Sequence, residues 1–286
     1  MSTMYFAKLN FNSQIYEVYD DESLKEKLLN QIFQDLSEKV IYIEENKKYK
    51  FITLEKNTSD FSITGRIVLV SPGVNISYDE VKDDVIEQFN ENNATYVTFY
   101  FDLKTEEIAF VPKRDFGHQM FISMFKTLLE KCVPDIEVEL YLEKNINQLR
   151  EKIMKFANIS IVDINIVPPN GDKEDFDALF STKSDEIKET WATKFSIRLG
   201  GTAKKGINIA SKYLNKMIVA VSKGYGEMKV TGKDNEGVRT VLTSSEEAPF
   251  TKSIPDLHKD SLSEIPNYAK SGIAELTTAK STVKIE

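Results

Sequence analysis

The pattern of apolar and polar positions predicts strands over much of the chain. Alternation with a period of two is typical of half-buried strands. The predicted strands of the first two thirds are Tyr5–Asn10, Val40–Glu45, Tyr49–Glu55, Ser62–Val70, Thr95–Leu103, Ile108–Val111, Ile136–Leu142 and Ile159–Val167. Thr95–Leu103 and Ile108–Val111 flank a short polar turn, so they predict a hairpin.

Apolar residues spaced by three and four predict helices between these strands. The predicted helices are Glu22–Leu36, Phe116–Leu129 and Asn145–Phe156, and the acidic segment Asp79–Glu91 is predicted to be a fourth, with its charges on a solvated face. Strands and helices follow one another without strict βαβ alternation. This order predicts an α+β fold with mostly antiparallel sheets and packed helices.

The acidic, polar segment Gly171–Ser184 is the best candidate for a domain boundary. We therefore predict an N-terminal α+β domain over 1–170 and a C-terminal α+β domain over 171–253. The second domain would contain the strand Thr193–Leu199, the basic helix Asn208–Ser222 and a hairpin of Glu227–Gly232 with Val238–Thr243. Residues 254–286 are polar and predict a loosely attached tail.

Composition narrows the cellular setting. Cys132 is the single cysteine among 286 residues, which excludes an intramolecular disulfide and fits a reducing compartment. The N-terminus has no basic region followed by an apolar stretch, and no apolar stretch approaches the ~20 residues that span a bilayer. These features predict a cytoplasmic protein.

Catalytic and cofactor motifs are sparse. Gly224–Tyr225–Gly226 precedes a predicted strand, whereas a dinucleotide fingerprint follows a strand and opens a helix. His118 and His258 have no second histidine or cysteine at metal-ligand spacing. Cys132 has no histidine near it in sequence. We therefore expect no metal, no cofactor and no catalytic residue, and we favour a non-enzymatic function.

One enzymatic alternative is a metal-dependent nuclease. Asp102 and Lys104 end a strong predicted strand and match the acid-x-Lys element of restriction-type nucleases. Metal-assisted phosphodiester cleavage needs a second carboxylate, which Asp83, Asp84 or Glu87 could supply. The same two residues also suit a polar hairpin turn, and this interpretation is favoured.

The positive charge is concentrated in one segment. The net charge is −8, yet residues 191–233 contain nine Lys or Arg residues and a single acid, Glu227, a local net charge of +8. The rest of the chain therefore carries −16. The candidate nucleic-acid-binding residues are Lys194, Arg198, Lys204, Lys205, Lys212, Lys216, Lys223, Lys229 and Lys233.

Helical spacing would place four of these lysines on one face. Lys205, Lys212, Lys216 and Lys223 are separated by seven, four and seven residues, and such a row can neutralise phosphates without reading bases. The helix should pack on the apolar side of the small C-terminal sheet. The helix row and the sheet's basic face then point in opposite directions, so only a dimer could bring them to one groove.

The segments TYVTFYFDL, IAFVP, ANISIVDINIVPPN and GYGEMKVTGKDNEG resemble an uncharacterised bacterial domain family that occurs beside phage-defence and mobile-element genes. The order of elements, from Tyr5 to Phe250, is also similar to that of the RexA phage-exclusion proteins and, more distantly, the KwaB defence proteins. The resemblance implies a homodimer that binds DNA with little sequence preference and acts in antiphage defence, with a membrane or other defence-system protein as a further partner. A sensor or inhibitor module that binds a protein partner is the remaining alternative.

Overall fold

The computed structural model describes residues 1–170, 173–180 and 184–283. Within these residues every pair of neighbouring strands is antiparallel, and helices pack against two separate sheets. The prediction of an α+β fold with antiparallel sheets is therefore confirmed.

The larger sheet has eight strands. They are β1 (Ser2–Phe11), β2 (Ile41–Glu44), β3 (Lys47–Asn57), β4 (Ser62–Asp79), β5 (Asp84–Asp102), β6 (Glu107–Val111), β7 (Val138–Leu142) and β12 (Thr251–Ile254). Their order is β12-β1-β6-β5-β4-β3-β2, and β7 pairs with the second half of β1. The predicted hairpin is the pair β5–β6.

Both faces of the larger sheet carry a core. On one face α1 (Ile15–Asp20), α2 (Glu22–Asp35) and α3 (His118–Cys132) enclose an aromatic cluster in which Phe125 contacts both Phe51 and Phe99. On the other face α9 (Ile265–Ser281) buries Ile265, Ile273 and Leu276. Each helix therefore contributes one apolar side to the sheet that it covers.

The prediction of a loosely attached tail over 254–286 is wrong for the described part of that segment. A 3-10 turn at Asp256–His258 leads into α9, whose buried residues pack with Met4, Phe6 and Tyr100. Residues 284–286 lie outside the described residues. Small residues, including Gly272, form much of the buried side of α9, which makes its apolar stripe weak in the sequence.

The smaller sheet has four strands, β8 (Phe156–Ile166), β9 (Phe195–Gly200), β10 (Gly226–Asp234) and β11 (Arg239–Thr243), in the order β11-β10-β8-β9. The helices α4 (Ile146–Met154) and α7 (Lys212–Ser222) share its apolar core. The short helices are α5 (Lys173–Phe180), α6 (Ser184–Glu189) and α8 (Ser244–Glu247).

The predicted division at residues 170 and 171 does not follow the two sheets. β8 precedes it in the chain but occupies a central position in the smaller sheet. Of the predicted boundary segment Gly171–Ser184, residues 171–172 and 181–183 lie outside the described residues, and residues 173–180 form α5.

The predicted helix at Asp79–Glu91 is wrong. β4 and β5 continue past the sheet as a two-stranded antiparallel arm, and their pairing extends to Asp79 opposite Asp84. A register shift between Ser71 and Gly73 marks the base of the arm. The apolar residues of this segment have helix-like spacing in the sequence, but Val81 lies in the turn, and Val85, Ile86 and Phe89 are each opposite a partner on β4.

Candidate nucleic-acid interface

A closed loop after β9 presents two exposed lysines. Gly201 donates its backbone N–H to Ser160 O at 2.8 Å, and Ile207 donates to Ile159 O at 2.8 Å, so both ends of the loop are fixed to β8. Gly206 has a φ of +64°, and a Cβ there would approach Asn158 Oδ1 to 2.8 Å. The loop therefore needs glycine at its base and holds Lys204 and Lys205 at its tip.

The loop lies at one end of the smaller sheet, next to two more cations. Asn158 donates its side-chain N–H to Ala203 O at 3.4 Å, and Asn158 pairs with Lys233 across β8 and β10. Lys233 in turn pairs with Arg239 on β11. We call Lys204, Lys205, Lys233 and Arg239 the cationic row.

The cationic row is exposed and has no acidic partner among the described residues. All four side chains are solvent-exposed. No described carboxylate oxygen lies within 4.0 Å of their charged nitrogens, so none of them forms an ion pair with a described residue. Three strand spacings of about 4.8 Å make the row ~15 Å wide. That width matches about four base pairs of duplex, at ~3.4 Å per phosphate along each strand.

The outer face of the same sheet is less positive than the sequence predicts. Lys229 and Arg198 both lie opposite Asp163 on β8, and Arg198 Nη1 is 3.5 Å from Asp163 Oδ1. Glu227 shares this face, since it pairs with Asn165. The two acids offset Lys229 and Arg198, so the centre of the face contributes little net charge.

The predicted lysine face of the helix is wrong. α7 begins at Lys212, so Lys205 lies in the loop and not on the helix. Lys216 donates to Ala178 O at 3.3 Å, and Lys223 donates to both Asp175 oxygens at 2.9 and 2.6 Å. Lys212 alone of the helical lysines is exposed without a described partner.

Lys194 also has a different role from the one predicted. Its ammonium group is 2.5 Å from Glu139 Oε1 on β7, and Lys126 binds the same oxygen at 2.6 Å. Lys194 thus links the segment before β9 to the larger sheet. Sequence reasoning missed Arg239, although its pairing with Lys233 follows from hairpin register across the turn.

The geometry separates the groups that the nuclease alternative requires. Asp102 and Asp84 are at opposite ends of β5, which is about 60 Å for eighteen steps of ~3.3 Å. Asp102 Oδ1 instead accepts the backbone N–H groups of Lys104 at 2.9 Å and Thr105 at 3.3 Å. Burial raises the pKa of Asp102, and this effect outweighs the two hydrogen bonds, which lower it. Asp102 therefore forms the polar turn.

Other reactive groups are occupied or lie apart. His118 stacks on Tyr5 with ring centres 5.0 Å apart, and burial raises the pKa of the Cys132 thiol. The described residues include no group of three or more His, Cys, Asp or Glu side chains placed to hold a metal ion. None of the helices in the described part of the chain is long and apolar enough to cross a membrane.

The Gly224–Tyr225–Gly226 segment connects a helix to a strand. Gly224 has a φ of +80° just after α7 ends, and Gly226 begins β10. A Cβ on Gly224 would overlap Glu143 Oε1 and lie 2.6 Å from Lys8 Cβ. The segment therefore brings the backbone against buried charged side chains, as expected for a helix stop followed by a strand start.

Those buried charges join the two sheets. Lys280 Nζ on α9 is 2.7 Å from Glu107 Oε1 and 2.6 Å from Glu143 Oε1. Lys144, which follows Glu143 in the chain, donates its ammonium N–H to Gly226 O at 2.6 Å. The pKa of Glu143 is raised to about 7, mainly by burial and also by the negative charge of the neighbouring Glu107. The two carboxylates are almost fully buried, so their contacts with Lys280 stabilise the junction.

One family model matches nearly the whole of this architecture. A family model described as a domain of unknown function, DUF4747, matches residues 2–268. The chain belongs to the DUF4747 family. No match is found among curated proteins. The DUF4747 match includes both sheets, the arm and the cationic row, so these features belong to one matched domain.

Proposed function

We propose that the chain is a non-enzymatic, largely sequence-independent DNA-binding protein of the cytoplasm that acts in antiphage defence. The observation that supports DNA binding is the cationic row, in which Lys204, Lys205, Lys233 and Arg239 are exposed at one end of the smaller sheet without a described acidic partner. The resemblance noted in the sequence supports the role in defence.

The chemistry of the row suits phosphates more than bases. Its lysines carry compact charges on flexible stems, which contact phosphate oxygens from many directions. Contacts of this kind set position and affinity but carry no sequence information. The acids Asp163 and Glu227 disfavour close approach of a duplex to the centre of the outer face. Binding is therefore assigned to the end of the sheet.

The test is a salt series of fluorescence anisotropy with two unrelated duplexes of equal length. We expect the wild-type chain to bind both equally, with an affinity that falls steeply as salt rises. The double substitution Lys204→Glu with Lys205→Glu should weaken both complexes. It should also reduce the slope of log K against log salt by about 2, since each lost phosphate contact removes ~0.9.

Lys212→Glu is the matched control. Like the row, Lys212 is exposed and has no ion-pair partner among the described residues, but it begins α7 on the helical side of the sheet. This variant should bind like the wild type. Equal binding by the row variant and the wild type would place the interface elsewhere, and no binding at low salt would reject DNA as the ligand.

The role in defence has a separate test. Cells that express the chain should reduce plaque formation by a panel of phages, and the row variant should lose this protection at equal protein level. Protection that survives in a row variant that no longer binds DNA would show that defence does not depend on DNA binding.

A further inference from the structure

The arm formed by the outer parts of β4 and β5 is amphipathic. Val74 pairs with Phe89, Ile76 with Glu87, and Tyr78 with Val85. Residues directly opposite each other in an antiparallel pair point to the same face. One face of the arm therefore consists of five large apolar side chains and Glu87. We call it the apolar arm face.

The described part of the chain leaves the apolar arm face uncovered. Its apolar residues are Val74 at 51%, Ile76 at 66%, Tyr78 at 61%, Val85 at 58% and Phe89 at 69% exposure. The opposite face is mostly polar, since Ser77, Asp79, Asp84 and Gln88 belong to it, and Ile86 is its large apolar residue. A two-stranded hairpin is marginally stable alone in water, and exposed apolar patches of several hundred Å² mark interaction sites.

Charge limits what can cover this face. Six acids and one lysine lie between Asp79 and Glu91, a net charge of −5. An anionic membrane surface would repel such an arm, because juxtamembrane segments that bind it are polybasic. The occupant should therefore combine apolar side chains with lysines.

The same chain contains a surface of that kind at the far edge of the larger sheet. Ile41 and Ile43 on β2 are 53% and 60% exposed. Their partners on β3 are Lys50 and Lys48, which point to the same face. β2 is the last strand in the sheet order of the described residues, so its outer edge is also unpaired there. We call these four residues the edge face.

We propose that a second copy of this chain covers the arm, with the apolar arm face of each copy on the edge face of the other. Glu87 would then approach the lysines of the edge face, and the acidic tip would add to the attraction. The exchange is reciprocal and closes as a two-fold dimer. The two arms contribute four aromatic side chains, which bury up to ~150–250 Å² each, and six aliphatic ones, so together they bury on the order of 1,000 Å², which is enough for a specific interface.

The first test measures mass in solution by sedimentation equilibrium of the full chain. The wild type should have twice the 32.6 kDa of one chain. Ile76→Ser with Phe89→Ser should give a folded monomer. Ser77→Thr with Gln88→Thr, on the polar face of the arm, should remain dimeric. A monomeric wild type, including one that instead associates with lipid vesicles, would overturn the proposal.

The second test establishes which surfaces meet. In a Cys132→Ser background, one chain carries Phe89→Cys and another carries Ile43→Cys, and the two are mixed with a mild oxidant. A disulfide between the two different chains is expected. Replacing Phe89→Cys by Gln88→Cys moves the thiol to the polar face and should reduce that product at least several-fold. Cross-linking only between two Phe89→Cys chains would mean that arms pack on each other, which contradicts the proposal.

Discussion

Lys280 at the end of α9 is the sole cation within ion-pair distance of two buried carboxylates in the described residues. Its Nζ is 2.7 Å from Glu107 Oε1 and 2.6 Å from Glu143 Oε1. The side chain of Glu143 is 0% exposed and that of Glu107 is 5% exposed. Lys280→Met keeps the length of the side chain but leaves both carboxylates without the ammonium group.

The expected loss follows from breaking a buried ion pair. Removing one partner of such a pair costs about 3–5 kcal/mol, because the remaining charge is buried without compensation. For a chain of this size, 1 kcal/mol corresponds to about 2 °C in Tm. We therefore expect Lys280→Met to lower Tm by about 6–10 °C in differential scanning calorimetry at pH 8, above the pKa of about 7 that Glu143 has in the wild type.

The pH dependence gives the prediction a second readout. Lys280 is one of the groups that lower the pKa of Glu143, so its removal should raise that pKa further. The folded variant can then relieve the buried charge by binding a proton, which becomes easier as pH falls. The difference in Tm between wild type and variant should therefore be smaller at pH 5 than at pH 8.

The matched control is Lys270→Met on the same helix. Lys270 Nζ is 2.6 Å from Asp60 Oδ2, but the two side chains are 45% and 39% exposed. A solvent-exposed ion pair contributes little to stability, so this variant should lose at most about 2 °C in Tm. Equal losses for the two variants, or a Lys280→Met loss that does not change with pH, would refute the role given to the buried cluster.

Two further substitutions test the buried charge cluster and the packing of α9. Because burial and the neighbouring Glu107 raise the pKa of Glu143 to about 7, this group's contribution to stability is present below its ordinary value of 4.5 and is lost as pH rises to about 7. Glu143→Gln should therefore flatten the fall in unfolding free energy between these pH values, measured by urea titration. Gly272→Val would place a Cβ 2.1 Å from Cζ of Phe6, and such overpacking should cost about 1–3 kcal/mol. The control Ala274→Val, at an exposed position of α9, should cost less than 1 kcal/mol in the same titration.

Sequence periodicity predicted the elements whose apolar residues all face one core. Glu22–Leu36 and Thr95–Leu103 have a clear period, and the structure has α2 and the second half of β5 there. The arm was missed because Glu87 interrupts the strand alternation, while Val81, Val85 and Phe89 are spaced by four as in a helix. A solvent-exposed ribbon has no core to impose the usual pattern.

The candidate site was predicted only in part because charge partners are distant in sequence. Lys204, Lys205 and Lys233 are exposed, but Lys223 is paired with Asp175, which lies 48 residues earlier. A count of charges within one segment omits such partners. The extent of the lysine helix was also overestimated, since the loop before α7 is fixed by hydrogen bonds to β8 and not by helical spacing.

The proposed dimer and the proposed DNA-binding row together predict how affinity depends on the length of the duplex. A two-fold dimer has two cationic rows, and a duplex long enough to contact both binds more tightly than one that reaches a single row. Arm substitutions that leave the row intact should therefore weaken binding to long duplexes and leave binding to short ones unchanged. Row substitutions should weaken both and keep the dimeric mass. A monomeric arm variant that binds long duplexes as tightly as the wild type would mean that the two rows do not act on one duplex.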